Sequence, residues 1–129
     1  MSDLPKCFTI WAEKIGSVQA EIGSENPTTA ELILKALPIE GKANRWGDEI
    51  YFSTPVKAGE ENGREEVEVG SVAYWPPGKA VCIFFGPTPV SINRSPRAAS
   101  AVNVFAKILG DSTVFKKVHD GDDVKLQLD

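Results

Sequence analysis

The sequence predicts a mainly β protein with a single domain over residues 1–129 and a barrel or sandwich architecture. Eight or nine short segments carry strand-forming side chains, and turn signals separate them at short intervals. Only two segments have helical features, and both are short. No internal repeat or composition boundary divides the chain, and 129 residues suit one domain of roughly 100–200 residues.

The first two strands are predicted to form a hairpin. Residues 7–14 are rich in aromatic and β-branched side chains, and residues 17–23 alternate between apolar and polar positions. A period of two is typical of a strand with one buried face.

One helix is predicted over residues 27–36. Asn26 suits the N-cap, Pro27 the first helical position, and Glu31 the positive end of the helix dipole. Apolar side chains follow the 3.6-residue period at Ala30, Ile33, Leu34 and Leu37. Pro38 ends the helix because proline has no N–H with which to continue it.

Two further strands, residues 39–46 and 48–53, are predicted on either side of Gly47. The composition then changes, because residues 57–66 carry no large apolar side chain and are rich in glutamate. Carboxylates that lie so close together usually stay in water. We therefore expect a solvated, mobile loop there rather than a cation site.

The second half of the chain contains the most apolar strand. Residues 71–75 and 80–85 are predicted strands, and residues 80–85 are apolar at every position, as expected of a central strand covered on both faces. The other predicted elements are a possible strand over 67–69, a turn over 76–79, a strand over 101–108, a short helix that ends at residue 117 and a strand over 124–128.

The composition excludes several classes of function. With 14 Lys and Arg against 18 Asp and Glu, the net charge of −4 disfavours nucleic acid as a partner. No stretch approaches the roughly 18 apolar residues of a membrane span, and no signal peptide is visible, so we expect no membrane partner and a cytoplasmic location. Cys7, Cys82 and His119 are too few for a structural zinc site, and the cysteines are expected to be reduced. No cofactor motif is present, so neither a cofactor nor a metal is expected.

One stretch of sequence resembles a known family. The sequence of residues 70–89 is GSVAYWPPGKAVCIFFGPTP, which resembles the signature of small prokaryotic proteins called cyclophilin-like. Residues 47–52 and 100–108 are similar to the same family, although Ser71 stands where that family more often has aspartate. The resemblance implies a closed eight-stranded β-barrel flanked by two short helices.

True cyclophilins are peptidyl-prolyl isomerases of this barrel type, and their working site contains Phe-His-Arg and Gln-Gly-Gly-Asp motifs. Neither motif occurs here, and the only glutamines are Gln19 and Gln127. A fold that merely binds proline leaves the isomerisation barrier of roughly 18–20 kcal/mol in place, so we expect no acceleration of proline isomerisation. The protein is predicted to be non-catalytic, and a divergent prolyl isomerase or another small-molecule enzyme is the alternative.

Aromatic side chains crowd the turn at residues 76–79 and suggest an apolar or peptide ligand. They are Tyr74, Trp75, Phe84 and Phe85, with Trp46 and Tyr51 on neighbouring strands. Strand alternation points Tyr74 and Trp75 in opposite directions, so at least one of them is expected in the core. The same holds for Phe84 and Phe85. Tyr74, Trp75 and Phe85 are candidate ligand contacts.

Three charged side chains complete the candidate site. Arg94 and Arg97 lie in a Pro-rich loop, residues 87–100, that is longer than a usual connection. They suggest an anionic ligand with an apolar body, unless they are solvated or pair with the glutamate-rich loop. Glu49 is the third charged candidate for ligand contact, and it shares a strand face with Tyr51. It is either a buried acid with a raised pKa or, as we expect, a side chain that points outwards.

The sequence therefore predicts a small-molecule or peptide ligand in an aromatic groove, with no catalytic residue. We expect Cys82 to be a packed thiol rather than a nucleophile because its strand is so apolar. The protein is expected to be a monomer or a weak homodimer. A further alternative is an interaction protein whose exposed aromatic side chains bind a partner chain.

Overall fold

The computed structural model describes residues 5–129, which form ten β-strands, one α-helix and two short 3-10 helices. The strands are β1 Cys7–Ala12, β2 Gly16–Ile22, β3 Ile39–Lys42, β4 Asn44–Arg45, β5 Glu49–Ser53, β6 Arg64–Glu66, β7 Ser71–Trp75, β8 Ala80–Phe84, β9 Arg97–Ile108 and β10 Asp123–Leu128. The helix α1 spans Pro27–Ala36, and the 3-10 helices span Pro76–Gly78 and Ser112–Lys117. The prediction of a mainly β chain with little helix is confirmed.

The sheet is open, so the expectation of a closed eight-stranded barrel is wrong. Its hydrogen-bonded order is β3-β10-β1-β2-β9-β7-β8-β5-β4, β6 pairs with β9 off this path, and ten strands take part. The two end strands, β3 and β4, are neighbours in the chain on either side of Ala43. They nevertheless pair with different strands, β3 with β10 and β4 with β5.

The chain around Ala43 explains why the sheet stays open. Its N–H donates to the Asp122 carbonyl at 2.8 Å, and its carbonyl accepts from the Gly121 N–H at 2.9 Å, which holds it to the turn before β10. A Cβ added at Gly41 would lie 3.1 Å from Phe52 Cβ, so β3 approaches β5 by close packing. Among residues 5–129, the two ends of the sheet meet through such packing and not through a ladder of backbone hydrogen bonds.

Strands β7 and β8 are covered on both faces, as the apolar run at residues 80–85 predicts. One face belongs to the main core, where Phe8 and Phe105 stack with ring centroids 6.1 Å apart. The other face carries a second cluster, which comprises Val67, Ala73, Cys82, Phe84, Ala98 and Val102. The alternation of side chains along β7 and β8 therefore divides them between two separate apolar clusters.

The long strand β9 covers the second cluster. It begins at Arg97, four residues before the predicted strand, and it pairs in turn with β6, β7 and β2. Because Ala98 and Val102 belong to the second cluster, the start of β9 lies over the face of the sheet opposite the main core. The short strand β6 lies at residues 64–66 rather than at the predicted 67–69.

The helix α1 occupies the predicted residues, but Asn26 does not cap it with its side chain. Asn26 is fully buried. Its Nδ2 donates to the Val104 carbonyl at 2.7 Å, and its Oδ1 accepts from the Asn62 N–H at 2.7 Å. The amide therefore ties β9 to the glutamate-rich loop, residues 57–66.

That loop is largely exposed, as the prediction of a solvated segment has it, but hydrogen bonds join it to the rest of the chain. The Glu61 carboxylate accepts the N–H bonds of Thr28 and Thr29 at 3.2 and 3.0 Å, so it caps α1 from a distant part of the chain. Burial raises the pKa of Glu61, but the hydrogen bonds from Thr29 and Thr28 together lower it by more. The pKa of this carboxyl group is therefore below its usual value. Arg64 pairs with Glu25 at 2.5 Å.

Both cysteines are free thiols, with Cys7 half-buried and Cys82 buried. Within residues 5–129, no group of three or more His, Cys, Asp or Glu side chains is placed to hold a metal ion. No helix in the described part of the chain is long and apolar enough to cross a membrane.

Candidate functional site

A cavity of about 240 Å³ opens on the face of the sheet opposite the main core. Its walls carry three half-buried aromatic side chains, Trp46, Tyr51 and Trp75, together with Glu49 and Cys82. The start of β9 closes one side with Ala98, Ala99 and Val102. The cavity thus lies at the edge of the second cluster, where the apolar packing leaves space.

The strand register brings the wall residues together. In the pairing of β5 with β8, Tyr51 lies opposite Cys82, and Glu49 lies two residues from Tyr51 on the same face. In the pairing of β7 with β8, Trp75 lies opposite Ala80, two residues from Cys82. Three adjacent strands therefore present their cavity side chains on one face.

Two contacts fix the indole ring of Trp75. Its Nε1 donates to the Ser100 hydroxyl at 2.7 Å, which ties it to β9. The ring lies over Gly78, where an added Cβ would come within 2.7 Å of the ring carbons Cε3 and Cζ3. The glycine after the two prolines is thus required by the close approach of the indole ring.

We expect Gly78→Ala to displace the Trp75 ring and change the cavity, because the added methyl group collides with the ring and the backbone itself tolerates alanine. The Nε1–H signal of Trp75 in an NMR spectrum should shift clearly. Gly59→Ala is the matched control, since a Cβ at Gly59 meets nothing within 4 Å. Equal, small changes in the two variants would contradict this packing.

The Trp46 wall depends on a tight turn at Gly47. Gly47 has a φ of +62°, a conformation that disfavours a side chain, and an added Cβ would lie 2.8 Å from Pro89 Cδ. The Trp46 N–H donates to the Glu49 carbonyl at 2.9 Å, and the Asp48 N–H donates to the Pro87 carbonyl at 2.9 Å. The Pro-rich loop therefore supports the turn that positions Trp46.

Among the described residues, Glu49 is the one ionisable carboxyl group in the cavity wall. Its side chain is only 5% exposed, and the strand that carries it is otherwise largely apolar. Burial raises the pKa of Glu49 from 4.5 to about 7, and a hydrogen bond with the Cys82 thiol lowers it in part. The expectation that Glu49 points outwards into solvent is therefore wrong, and the side chain is the buried acid of the alternative interpretation.

Cys82 lies beside this carboxyl group and is 2% exposed. Its pKa is raised well above the usual value by burial, and the neighbouring Glu49 raises it further through charge and hydrogen bonding. The thiol therefore stays protonated at neutral pH.

Two aromatic candidates lie in the core instead of the cavity. Tyr74 is fully buried in the main core, and its hydroxyl donates to the Val56 carbonyl at 2.6 Å. Phe85 is 2% exposed and stacks on Phe115, with ring centroids 6.2 Å apart. Of the aromatic candidates, the structure places Trp75 alone at the cavity.

The two candidate arginines do not line the cavity either. Arg97 Nη2 donates to Glu65 Oε1 at 2.7 Å, so it pairs with the glutamate-rich loop. Arg94 lies on the exposed part of the Pro-rich loop. A third arginine, Arg45, lies 5.0 Å from the centroid of the Phe85 ring and pairs with Asp48 at 3.2 Å.

Of the six candidate ligand contacts, Glu49 and Trp75 line the cavity and the other four do not. Trp46 and Tyr51 are visible as aromatic neighbours, yet nothing local ranks them above Tyr74 and Phe85. The useful signal is alternation, because Tyr51 shares a strand face with Glu49.

Comparisons with known proteins identify relatives of the chain. A family model described as cyclophilin-like matches residues 6–127. The solution structure of the hypothetical protein AF2241 from Archaeoglobus fulgidus is similar, with 43% sequence identity over 100% of both chains and a TM-score of 0.83. A search of the curated proteins gives no match. The resemblance carried by residues 70–89 is confirmed.

Proposed function

The chain belongs to the cyclophilin-like family, and we propose that it binds a small molecule in the cavity walled by Trp46, Glu49, Tyr51 and Trp75. The observation that carries this proposal is the burial of Glu49 beside the cavity. A single carboxyl group among apolar walls is expected of a ligand site, where a few placed polar groups orient an otherwise apolar ligand. Groups with a shifted pKa also concentrate at functional sites.

The volume of the cavity sets the size of the ligand. At about 240 Å³ it lies just below the roughly 300–1,000 Å³ of sites for drug-sized molecules. It suits a small molecule, or one side chain of a peptide, rather than an extended peptide.

We assign no reaction to this site. Cys82 is protonated because burial raises its pKa, so it lacks the thiolate that a cysteine nucleophile needs. The remaining walls are aromatic or aliphatic apart from Glu49, and its neighbour Cys82 stays a protonated thiol, so the cavity places no activated nucleophile beside this carboxyl group. A binding role requires no catalytic group beyond these side chains.

The proposal is tested by titrating the protein with an uncharged compact alcohol, 3,3-dimethylbutan-1-ol, while the Nε1–H NMR signals of the three tryptophans are followed. We expect the Trp46 and Trp75 signals to move with saturation. Trp11 is an internal control, because it lies on β1 outside the cavity. Equal movement of all three signals, or none, would contradict the proposal.

A variant pair locates the binding. Ala99 is exposed and lines the cavity, so Ala99→Leu should fill part of it and weaken binding by about tenfold, since a lost or blocked apolar contact of about 1.4 kcal/mol has that effect. Ala101→Leu is the matched control on the same strand, away from the cavity walls. Equal affinity in both variants would place the ligand elsewhere.

A further inference from the structure

Glu49 is a buried acid that has no basic partner among residues 5–129. Within residues 5–129, the six ion pairs all involve other carboxylates. The carboxyl group is 5% exposed, and its neighbour on β8 is the uncharged thiol of Cys82. A buried carboxylate without a cation is unfavourable, because its lost hydration is not replaced.

The nearby arginines are already used by other groups. Arg97, which adjoins the cavity residue Ala98, binds Glu65 at 2.7 Å. Arg45, which adjoins Trp46, donates to the Lys116 and Val118 carbonyls at 3.1 Å in addition to its pair with Asp48. The described part of the chain therefore does not supply the positive charge that would match the Glu49 carboxylate.

The other walls favour a positive charge in the same space. Trp46, Tyr51 and Trp75 border the cavity on sides contributed by the turn before β5, by β5 itself and by β7. The face of an aromatic ring is electron-rich and attracts a cation, most strongly for tryptophan. Three aromatic side chains and one carboxylate around a small cavity are the chemistry that recognises an ammonium group.

Resting on the proposed function, we propose that the ligand is a small organic cation, with an ammonium head group against Glu49 and its carbon substituents against the three aromatic rings. This differs from the anionic ligand that the sequence suggests, because the arginines behind that expectation do not line the cavity while Glu49 does. The head group belongs to an amine or to a quaternary ammonium ion, and both offer the same charge to the carboxylate.

The ionisable groups around the cavity decide how binding depends on pH. Tyr51 on β5 and Cys82 on β8 face the same space as Glu49, and the walls from β7, β9 and the turn at Trp46 carry no ionisable side chain. Cys82 stays protonated because burial raises its pKa. Cation binding should therefore follow the ionisation of Glu49.

Three probes of nearly equal shape test the charge of the ligand. They are choline, its uncharged analogue 3,3-dimethylbutan-1-ol, and the anion 3,3-dimethylbutanoate, each followed through the Trp46 and Trp75 signals. We expect choline to bind most tightly at pH 8. With a Glu49 pKa of about 7, its affinity should fall about tenfold at pH 6, whereas that of the alcohol should not change.

Glu49→Gln should remove both the preference for choline over the alcohol and the pH dependence of choline binding. Ethylammonium extends the test to amines. Its affinity compared with that of choline shows whether the head group belongs to an amine or to a quaternary ammonium ion. If the alcohol binds but choline is not preferred, or if the anion binds most tightly, the cation proposal is overturned and the proposed binding function stands. If none of the probes moves the Trp46 and Trp75 signals, both proposals are overturned.

Discussion

Replacing Glu49 with glutamine should raise the free energy of unfolding at pH 8 by about 3 kcal/mol. Burial raises the pKa of this carboxyl group from 4.5 to about 7 in the folded protein, and one pKa unit corresponds to about 1.4 kcal/mol. Glutamine has nearly the same shape and never ionises, so the variant avoids the unfavourable burial of a charge. Few single substitutions in a sheet are expected to stabilise a protein this much.

The effect has a defined pH window. Because the folded-state pKa is above the unfolded-state value, the folded protein holds the Glu49 proton more tightly than the unfolded chain does. The contribution of this group to stability is fully present below about pH 4.5 and is lost as the pH rises through about 7. The parent protein should lose stability over this interval, and Glu49→Gln should lose much less.

Urea unfolding at a series of pH values measures this difference directly. His119 and all other titratable groups are common to both proteins, so the difference between their curves isolates Glu49. Glu40→Gln is the control, because Glu40 is an exposed strand residue and its replacement changes the net charge by the same amount. Parallel curves for the parent and Glu49→Gln between pH 5 and pH 8 would contradict the burial of this carboxyl group.

A stability gain at Glu49→Gln would also bear on function. Proteins tolerate a destabilising group where activity requires it, so stabilising a functional site commonly weakens its activity. Here the same substitution should stabilise the fold and remove the preference for a cationic ligand. A bound cation would offset the cost of the Glu49 charge, and it should therefore stabilise the parent protein most at high pH.

The regular elements of this fold follow closely from sequence patterns. The helix over residues 27–36 and the strand over residues 71–75 lie where the local sequence predicts them, because each depends on side chains that are close in the chain. The closure of the sheet is different. Closure depends on whether the two end strands, β3 and β4, are joined by a ladder of backbone hydrogen bonds. No local sequence pattern encodes that pairing.

Long-range contacts also explain what the sequence misses around the site. The glutamate-rich loop looks like a solvated segment, yet Glu61 binds α1 more than thirty residues away and Glu65 binds Arg97. These contacts engage charged side chains that would otherwise be available to bind a ligand. The environment of Glu49 likewise depends on the start of β9 lying over β8, which only the folded chain reveals.

Asn26→Asp should lower the free energy of unfolding by about 3 kcal/mol, although aspartate caps helices as well as asparagine does. The reason is that Asn26 is not acting as a cap. Its Nδ2 donates to the Val104 carbonyl at 2.7 Å, while its Oδ1 accepts from the Asn62 N–H at 2.7 Å. Aspartate keeps the acceptor but loses the donor, and it places a carboxylate against a carbonyl oxygen at a fully buried position.

Asn93→Asp is the matched control for this substitution, because it adds the same charge at an exposed residue that acts only as an acceptor, from the Ser95 N–H at 2.8 Å. We expect its stability to stay within about 0.5 kcal/mol of the parent. The loss in Asn26→Asp should be smaller at pH 4 than at pH 8, since a buried carboxyl group is less unfavourable when it is protonated and can again donate a hydrogen bond. Chemical unfolding of both variants at the two pH values measures these differences. A stability of Asn26→Asp equal to that of the parent would show that Asn26 acts as a simple helix cap, and that the link between β9 and the glutamate-rich loop contributes little.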